Sequence, residues 1–215
     1  MSDKTREKLA ELLAAAQLEH PGAEGFALGD AAVIMRRPTL AEHMACAAVV
    51  EKQQTGYLFK DPEKVRRPVL SLVVSGEDAA RAELAERPQF VVDLYNLEVE
   101  LSGAGDVEIE DAPDLLADHP KAAQCFGFMI CDVPVIVRKV DGFDWNRHRA
   151  NLAKMDTACE AVAQLAIDQL MEAPDKEGNR PKWDALVSRY PAAVIELGSE
   201  LQRRTKSRAE RIRGK

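Results

Sequence analysis

The chain has 215 residues, 46% hydrophobic and 30% charged, with a net charge of −7. That is an ordinary globular mixture, enough for one good core or two modest ones, and it excludes a disordered, collagen-like or disulfide-scaffold chain. The charge is uneven: residues 203–215 hold seven Lys or Arg against Glu210, a local +6, so the rest of the chain, within a total of −7, carries −13.

In chain order, residues 3–19 set Leu9, Leu12, Leu13 and Ala16 at helical spacing, an amphipathic helix capped by Ser2 or Asp3 and ended at Pro21-Gly22. It either packs on the body or serves as a docking arm. Residues 26–28 and 32–36 read as a hairpin around Gly29-Asp30. Pro38 ends the strand, and Thr39, with Glu42 in reach for a capping box, starts a helix over 40–54. Residues 56–62 read as a loop carrying Tyr57, Leu58 and Phe59. Residues 63–74 run from polar to strongly apolar; periodicity does not decide between helix and strand, and we favour a helix interrupted near Pro68. Ser75 is the expected cap of a helix over 77–86, and Pro88 opens another over 89–102.

Residues 103–120 begin with Gly103-Ala104-Gly105, are acidic, and carry one short helical turn at 111–118. Strands over 126–130 and 134–140 follow. Asp144 is the expected cap of one long helix over 145–171. Residues 173–181 read as a polar loop, 183–188 as a short helix, and Pro191 opens a last helix that runs into the basic tail.

The chain repeats itself. Gly25-Phe26-Ala27-Leu28-Gly29-Asp30-Ala31-Ala32-Val33-Ile34-Met35-Arg36-Arg37 returns 102 residues later as Gly127-Phe128-Met129-Ile130-Cys131-Asp132-Val133-Pro134-Val135-Ile136-Val137-Arg138-Lys139, identical at six of 13 positions. Composition alone gives roughly one identity. A second echo, from Pro88-Gln89-Phe90-Val91-Val92-Asp93-Leu94 to Pro191-Ala192-Ala193-Val194-Ile195-Glu196-Leu197, lies at an offset of 103. Two blocks in order and nearly in frame imply a duplicated unit. The expected fold is therefore mainly α (α+β): two related helical-bundle halves, each preceded by a short β-hairpin. The segments are an N-terminal amphipathic helix (1–22), a first repeat unit (23–103), an acidic connector (104–120), a second repeat unit (121–206) and a basic tail (207–215).

Little in the chain points to chemistry. No Gly-x-Ser-x-Gly, phosphate-binding Gly-rich loop or His-Glu-x-x-His occurs. His43-x-x-Cys46 has ligand-like spacing, but Cys125 and Cys131 stand too far apart for a second tight zinc pair, so no metal and no cofactor are expected. Cys46 and Cys159 read as buried thiols. Glu98 with Glu100, and Asp141 with Asp144, read as solvated surface acids, and His148 as a surface histidine. No signal peptide and no membrane-spanning run is visible, so a cytosolic chain with reduced thiols is expected. Arg203, Arg204, Lys206, Arg208, Arg211 and Arg213 are the candidate contacts to nucleic acid, opposed by the acidic body. The alternative for these charges is pairing of the tail with the acidic connector within the chain.

The stretch Ala32-Val33-Ile34-Met35-Arg36-Arg37-Pro38-Thr39-Leu40-Ala41-Glu42, a strand ending in Arg-Pro-Thr before a helix, resembles the opening of small phage tail assembly chaperones, and Tyr190-Pro191-Ala192-Ala193-Val194-Ile195-Glu196-Leu197 resembles their late helices. The resemblance covers about a third of the chain. It implies a non-enzymatic protein that escorts the long helical tape-measure protein, in the host cytoplasm during assembly or in the virion. It supplies no catalytic residues. The duplication departs from the single unit of such chaperones and leaves open a permanent tail or baseplate component. A third reading is a nucleic-acid-associated accessory protein working through the basic tail. Under the first reading Arg36, Arg37, Tyr57, Leu58, Phe59, Arg138 and Lys139 are the candidate contacts to protein partners. Self-association stays open, and no membrane is expected.

Overall fold

A computed structural model describes residues 3–55, 58–155, 157–170 and 179–213, with side chains described throughout these except at 3–4, 55, 58, 179–180 and 206–213. The chain divides into two compact units, Met1–Ser102 and Gly103–Lys215. Its class is mainly α with β elements: two helical sets, each built on a β-hairpin.

In the first unit, helix α1 (Asp3–Glu19) precedes strands β1 (Glu24–Leu28) and β2 (Ala31–Met35). These pair antiparallel from Glu24↔Met35 to Leu28↔Ala31, and Gly29 (φ 60°) makes the turn. All five residues of β2 are buried because the sheet is covered on both faces. Ala31, Val33 and Met35 face a helical layer. On the other face α1 lies close: a Cβ on Gly25 would fall 3.1 Å from Leu9 Cδ1. The amphipathic helix is thus part of this body, with Leu9, Leu12, Leu13 and Ala16 half-buried.

The helical layer holds α2 (Leu40–Gln53), α3 (Pro62–Leu70), α4 (Glu77–Glu86) and α5 (Val91–Leu101), which follows a 3-10 turn at Pro88–Phe90. Between α2 and α3, the expected loop holds a small ladder of β3 (Gln54–Thr55) and β4 (Leu58–Phe59); Tyr57 lies outside the described residues. The apolar run after Pro68 is not one helix. The helix ends at Leu70, and β5 (Val73–Ser75) pairs with β2, giving sheet order β1-β2-β5. The open edge of β2 decides this, since its backbone groups need partners and Arg36 N–H also donates to the Leu72 carbonyl at 3.0 Å. Ser75 is therefore a strand residue, and Gly76 (φ 80°) starts α4. No larger residue fits there, because a Cβ would stand 2.2 Å from the Ala32 carbonyl oxygen.

The second unit orders its sheet differently. Strand β6 (Ile109–Asp111) precedes the hairpin of β7 (Cys125–Ile130) and β8 (Val133–Arg138), in the order β6-β7-β8. Phe128, Ile130, Val133, Val135 and Val137 are all buried. The Gly127 strand position lies against a 3-10 turn at Pro113–Leu116, where a Cβ would stand 2.3 Å from the Ala112 carbonyl oxygen. Gly25 and Gly127, 102 residues apart, thus serve one purpose. Each lets a preceding segment lie close against its hairpin.

Four helices follow: α6 (Gly142–Lys154), α7 (Ala158–Gln169), α8 (Asn179–Arg189) and α9 (Ala192–Arg213). The expected single helix over 145–171 is two. The chain leaves helical geometry at Met155 (ψ 152°), and Thr157 caps the next helix by accepting from the Glu160 N–H. Asp141, not Asp144, is the N-cap of α6. Helices α7 and α9 meet closely at Gly198, where a Cβ would lie 2.2 Å from the Val162 carbonyl oxygen.

The two hairpins share one register: Gly25↔Ile34 and Phe26↔Val33 correspond at an offset of 102 to Gly127↔Ile136 and Phe128↔Val135. Gly127→Ala therefore pushes a methyl into backbone that has no rotamer to change, and it should cost about 2–3 kcal/mol in urea denaturation. Gly142→Ala, in the open first turn of α6, has nothing within 4 Å of the new methyl and should be neutral or stabilising by up to about 1 kcal/mol.

Candidate functional site: the arginine corners, the histidine tethers and the clefts

Each hairpin ends in an arginine that reaches the start of the next helix. In the first unit Thr39 caps α2 by accepting from the Glu42 N–H, and the Glu42 carboxylate accepts from the Thr39 N–H, a complete capping box. Arg36 grips that carboxylate with two donors, at 2.9 and 2.6 Å. In the second unit Asp141 and Asp144 form the same box, and Arg138 donates to Asp144 at 3.1 Å. All three positions correspond at the offset of 102, two of them beyond the stretch where sequence identity is visible. Asp144, read as a solvated acid, is 2% exposed. It also accepts from Arg147, whose guanidinium reaches Asp168 on α7 at 3.1 Å.

A buried polar contact ties the first helix of each set to the last. His43 on α2 is 6% exposed, and its Nδ1 stands 2.7 Å from Oε1 of Glu98 on α5, which is fully buried. Glu98 is therefore no surface acid. Its Oε2 has no hydrogen-bond partner among the described residues. In the second unit His148 on α6 is 2% exposed and lies 2.6 Å from the side-chain amide of Gln202 on α9. It too is no surface residue: α6 starts at Gly142, which carries position 148 past the exposed first turn. The correspondence is one helical turn out of step. At the offset of 102, Trp145 takes the place of His43 and His148 that of Cys46. The Trp145 and His148 rings lie 5.5 Å apart.

The Cys46 thiol is held up at about 12, first by burial and then by the charges of Glu98 and Glu42. A thiol so placed is no nucleophile at neutral pH. Cys46 and Cys125 are buried, whereas Cys131 and Cys159 are half-buried. Among the described residues no group of three or more His, Cys, Asp or Glu is placed to hold a metal ion.

The candidate partner contacts are dispersed and engaged. Arg36 and Arg138 hold the capping carboxylates; Arg37 Nε donates to the Gly22 carbonyl at 3.3 Å. Lys139 donates to the Ala123 carbonyl at 2.8 Å and stands over the Phe126 ring. Phe59 packs edge-on to Tyr95 at 6.4 Å, and the side chain of Leu58 lies outside those described. Of the tail, Arg203 pairs with Glu200, and Arg204 pairs with Glu200 and with Asp111 of the acidic stretch, each at 2.6 Å. The Arg204 guanidinium also lies 4.9 and 4.7 Å from the Phe126 and Phe128 ring centres. The side chains of Lys206, Arg208, Arg211 and Arg213 lie outside those described.

Two clefts lined by described residues open to solvent. One, of about 390 Å³, lies beside the second corner and is lined by Gln124, Arg138, Lys139, Val140 and Asp141, with Ala123. The other, of about 450 Å³, runs between α2 and α3. Sequence reasoning found neither, because each depends on how neighbouring segments pack in space: residues 123–124 against 138–141, and α2 against α3. The buried Glu98 did leave a signal, since Val91, Leu94, Glu98 and Leu101 fall on one helical stripe, an acid within an apolar row. Among the described residues no helix is long and apolar enough to cross a membrane. No protein-family model, no curated protein and no solved structure matches the chain.

The Arg36 hydrogen bond, foremost, holds the Glu42 carboxyl at about 2, below its usual 4.5, against the opposing effect of burial; Thr39 adds to the lowering. A depressed carboxyl stabilises the fold above its unfolded value, and the contribution fades as pH falls from about 4.5 towards 2. The pair is about one-third exposed and screened, so the amount is about 1 kcal/mol. In urea titrations Glu42→Gln should lower stability at pH 7 by that amount and leave it less dependent on pH below 4.5. For the buried tether, His43→Leu strands the Glu98 carboxylate and should cost about 3–5 kcal/mol. The double variant His43→Leu/Glu98→Leu should recover most of that loss in the same assay.

Proposed function

We propose that this chain is a non-enzymatic assembly protein that binds helical partner proteins, of the phage tail assembly chaperone kind. The observation that carries the reading is the duplicated corner. A hairpin, an arginine and a capped helix recur at a fixed offset, and the repeated glycine, arginine and capping positions serve packing and local electrostatics. Duplicating a module of this sort multiplies surface and leaves chemistry unchanged. The groups best suited to chemistry are committed inside the units: Cys46 by burial, and Glu98 and His43 to each other. The basic tail lends less to a nucleic-acid reading than its composition implies, since Arg203 and Arg204 are matched by Glu200 and Asp111.

In this reading the helical sets cover apolar stripes of a long partner helix before it assembles, which suppresses its aggregation. The Arg-Pro-Thr strand end before α2 and the proline-led start of α9 support the chaperone form. The test is co-expression with the longest helical protein encoded next to this chain. That protein should be insoluble alone, soluble with this chain, and co-purify at a fixed ratio, while this chain should be missing from purified particles. A fixed copy number in particles would shift the reading to a permanent tail or baseplate part. No change in solubility and no co-purification would remove the assembly reading altogether.

A further inference from the structure

We infer that the groove between α2 and α3 is a docking surface for an amphipathic helix whose apolar stripe is bordered by Asp or Glu; this rests on the assembly reading and gives it a place. Among the described residues the groove is lined by Val49, Lys52 and Gln53 from α2, and by Glu63, Lys64 and Arg67 from α3. Each trio follows one face of its helix, so the walls are two stripes with a valley between them. At about 450 Å³ it falls roughly within the 300–1,000 Å³ of ordinary binding clefts. Val49 of the lining is half-buried; Lys52, Lys64 and Arg67 are exposed, and long cationic side chains of this kind carry methylene stems that can lie along apolar surface.

Charge selects the occupant. The described lining residues carry three cations and one acid, in a chain whose total is −7. Glu63 is already bonded to Arg66 at 3.0 Å. Lys64 pairs with Asp61 at 3.3 Å, but its side chain is 64% exposed and loosely held. Arg67 is exposed, with no carboxylate partner among the described residues. Apolar surface beside a cationic rim suits aliphatic side chains flanked by carboxylates. A nucleic-acid backbone would engage the rim and leave the apolar surface bare.

The probe is a fluorescent 18-residue peptide with Leu at helical positions i, i+3, i+4 and i+7 and Glu beside them, titrated with the full chain by anisotropy. Its counterpart carries Lys for every Glu. The Glu peptide should bind and weaken as salt rises, and the Lys peptide should bind at least about tenfold more weakly. Lys52→Glu/Arg67→Glu, two surface changes checked for folding by circular dichroism, should reverse that preference, while Arg203→Glu should leave it unchanged. Equal binding of both peptides, or no effect of the double reversal, overturns the proposal. So does a concentration-dependent dimer abolished by the same reversal, which would assign the groove to a second copy. The co-expression experiment separates the two readings. If the double variant still solubilises the helical partner, the groove is wrong and the assembly role stands. If the wild-type chain binds the Glu peptide but solubilises no partner, the reverse holds.

Discussion

Each unit carries the same short-range constraint, an arginine that links the end of the second hairpin strand to the first turn of the next helix. A carboxylate at the third helical residue already accepts from the cap N–H, and the arginine donates to it and holds it in place. This fixes the direction in which α2 and α6 leave the sheet. Those two helices carry the histidines that reach the last helix of their unit, so a misdirected start would misplace the buried tether as well. The ion pairs are individually modest. Their effect is geometric, since they set the angle between a sheet and the layer that covers it.

The tethers show how a duplicated frame diverges. In the first unit an imidazole meets a fully buried carboxylate, and a thiol stands beside it. In the second a tryptophan occupies the histidine position, a histidine occupies the thiol position, and the acceptor helix supplies a neutral amide. One interior thus keeps an ionisable pair out of water, which is costly unless both members stay. The other has exchanged the acid for an uncharged partner. The two halves therefore differ in the chemistry of their interiors, although their strands pair in one register.

Much of the frame was legible in the sequence, because it is written in local terms. The hairpins, the Thr39–Glu42 box and the proline-led helices each depend on residues a few positions apart. Extending the offset of 102 by five residues would have exposed the Asp141–Asp144 box too. The sites were less legible, because they depend on residues far apart in the chain. The partner of buried Glu98 is His43, 55 residues earlier. Strand β6 reads Ile109-Glu110-Asp111, in which the two acids are poor strand formers, and it pairs along the free edge of β7. The break between α6 and α7 was marked by Thr157 three residues before Glu160, a cap signal outweighed by an apolar stripe that runs past it.

The third strand joins opposite edges of the two hairpins: β5 lies beside β2, and β6 beside β7. Pro134 sits early in β8, whose outer side bridges Leu170 at Val137, whereas its counterpart at the offset, Ala32, lies in a strand paired on both sides. Without an N–H, Pro134 denies a full ladder to any newcomer along the outer side of β8. Tandem modules of similar sequence are prone to trade strands while they fold. Because the third strands sit on opposite hairpin edges, a strand traded between the halves would have to pair with the other strand of the hairpin from the one it pairs with in its own unit.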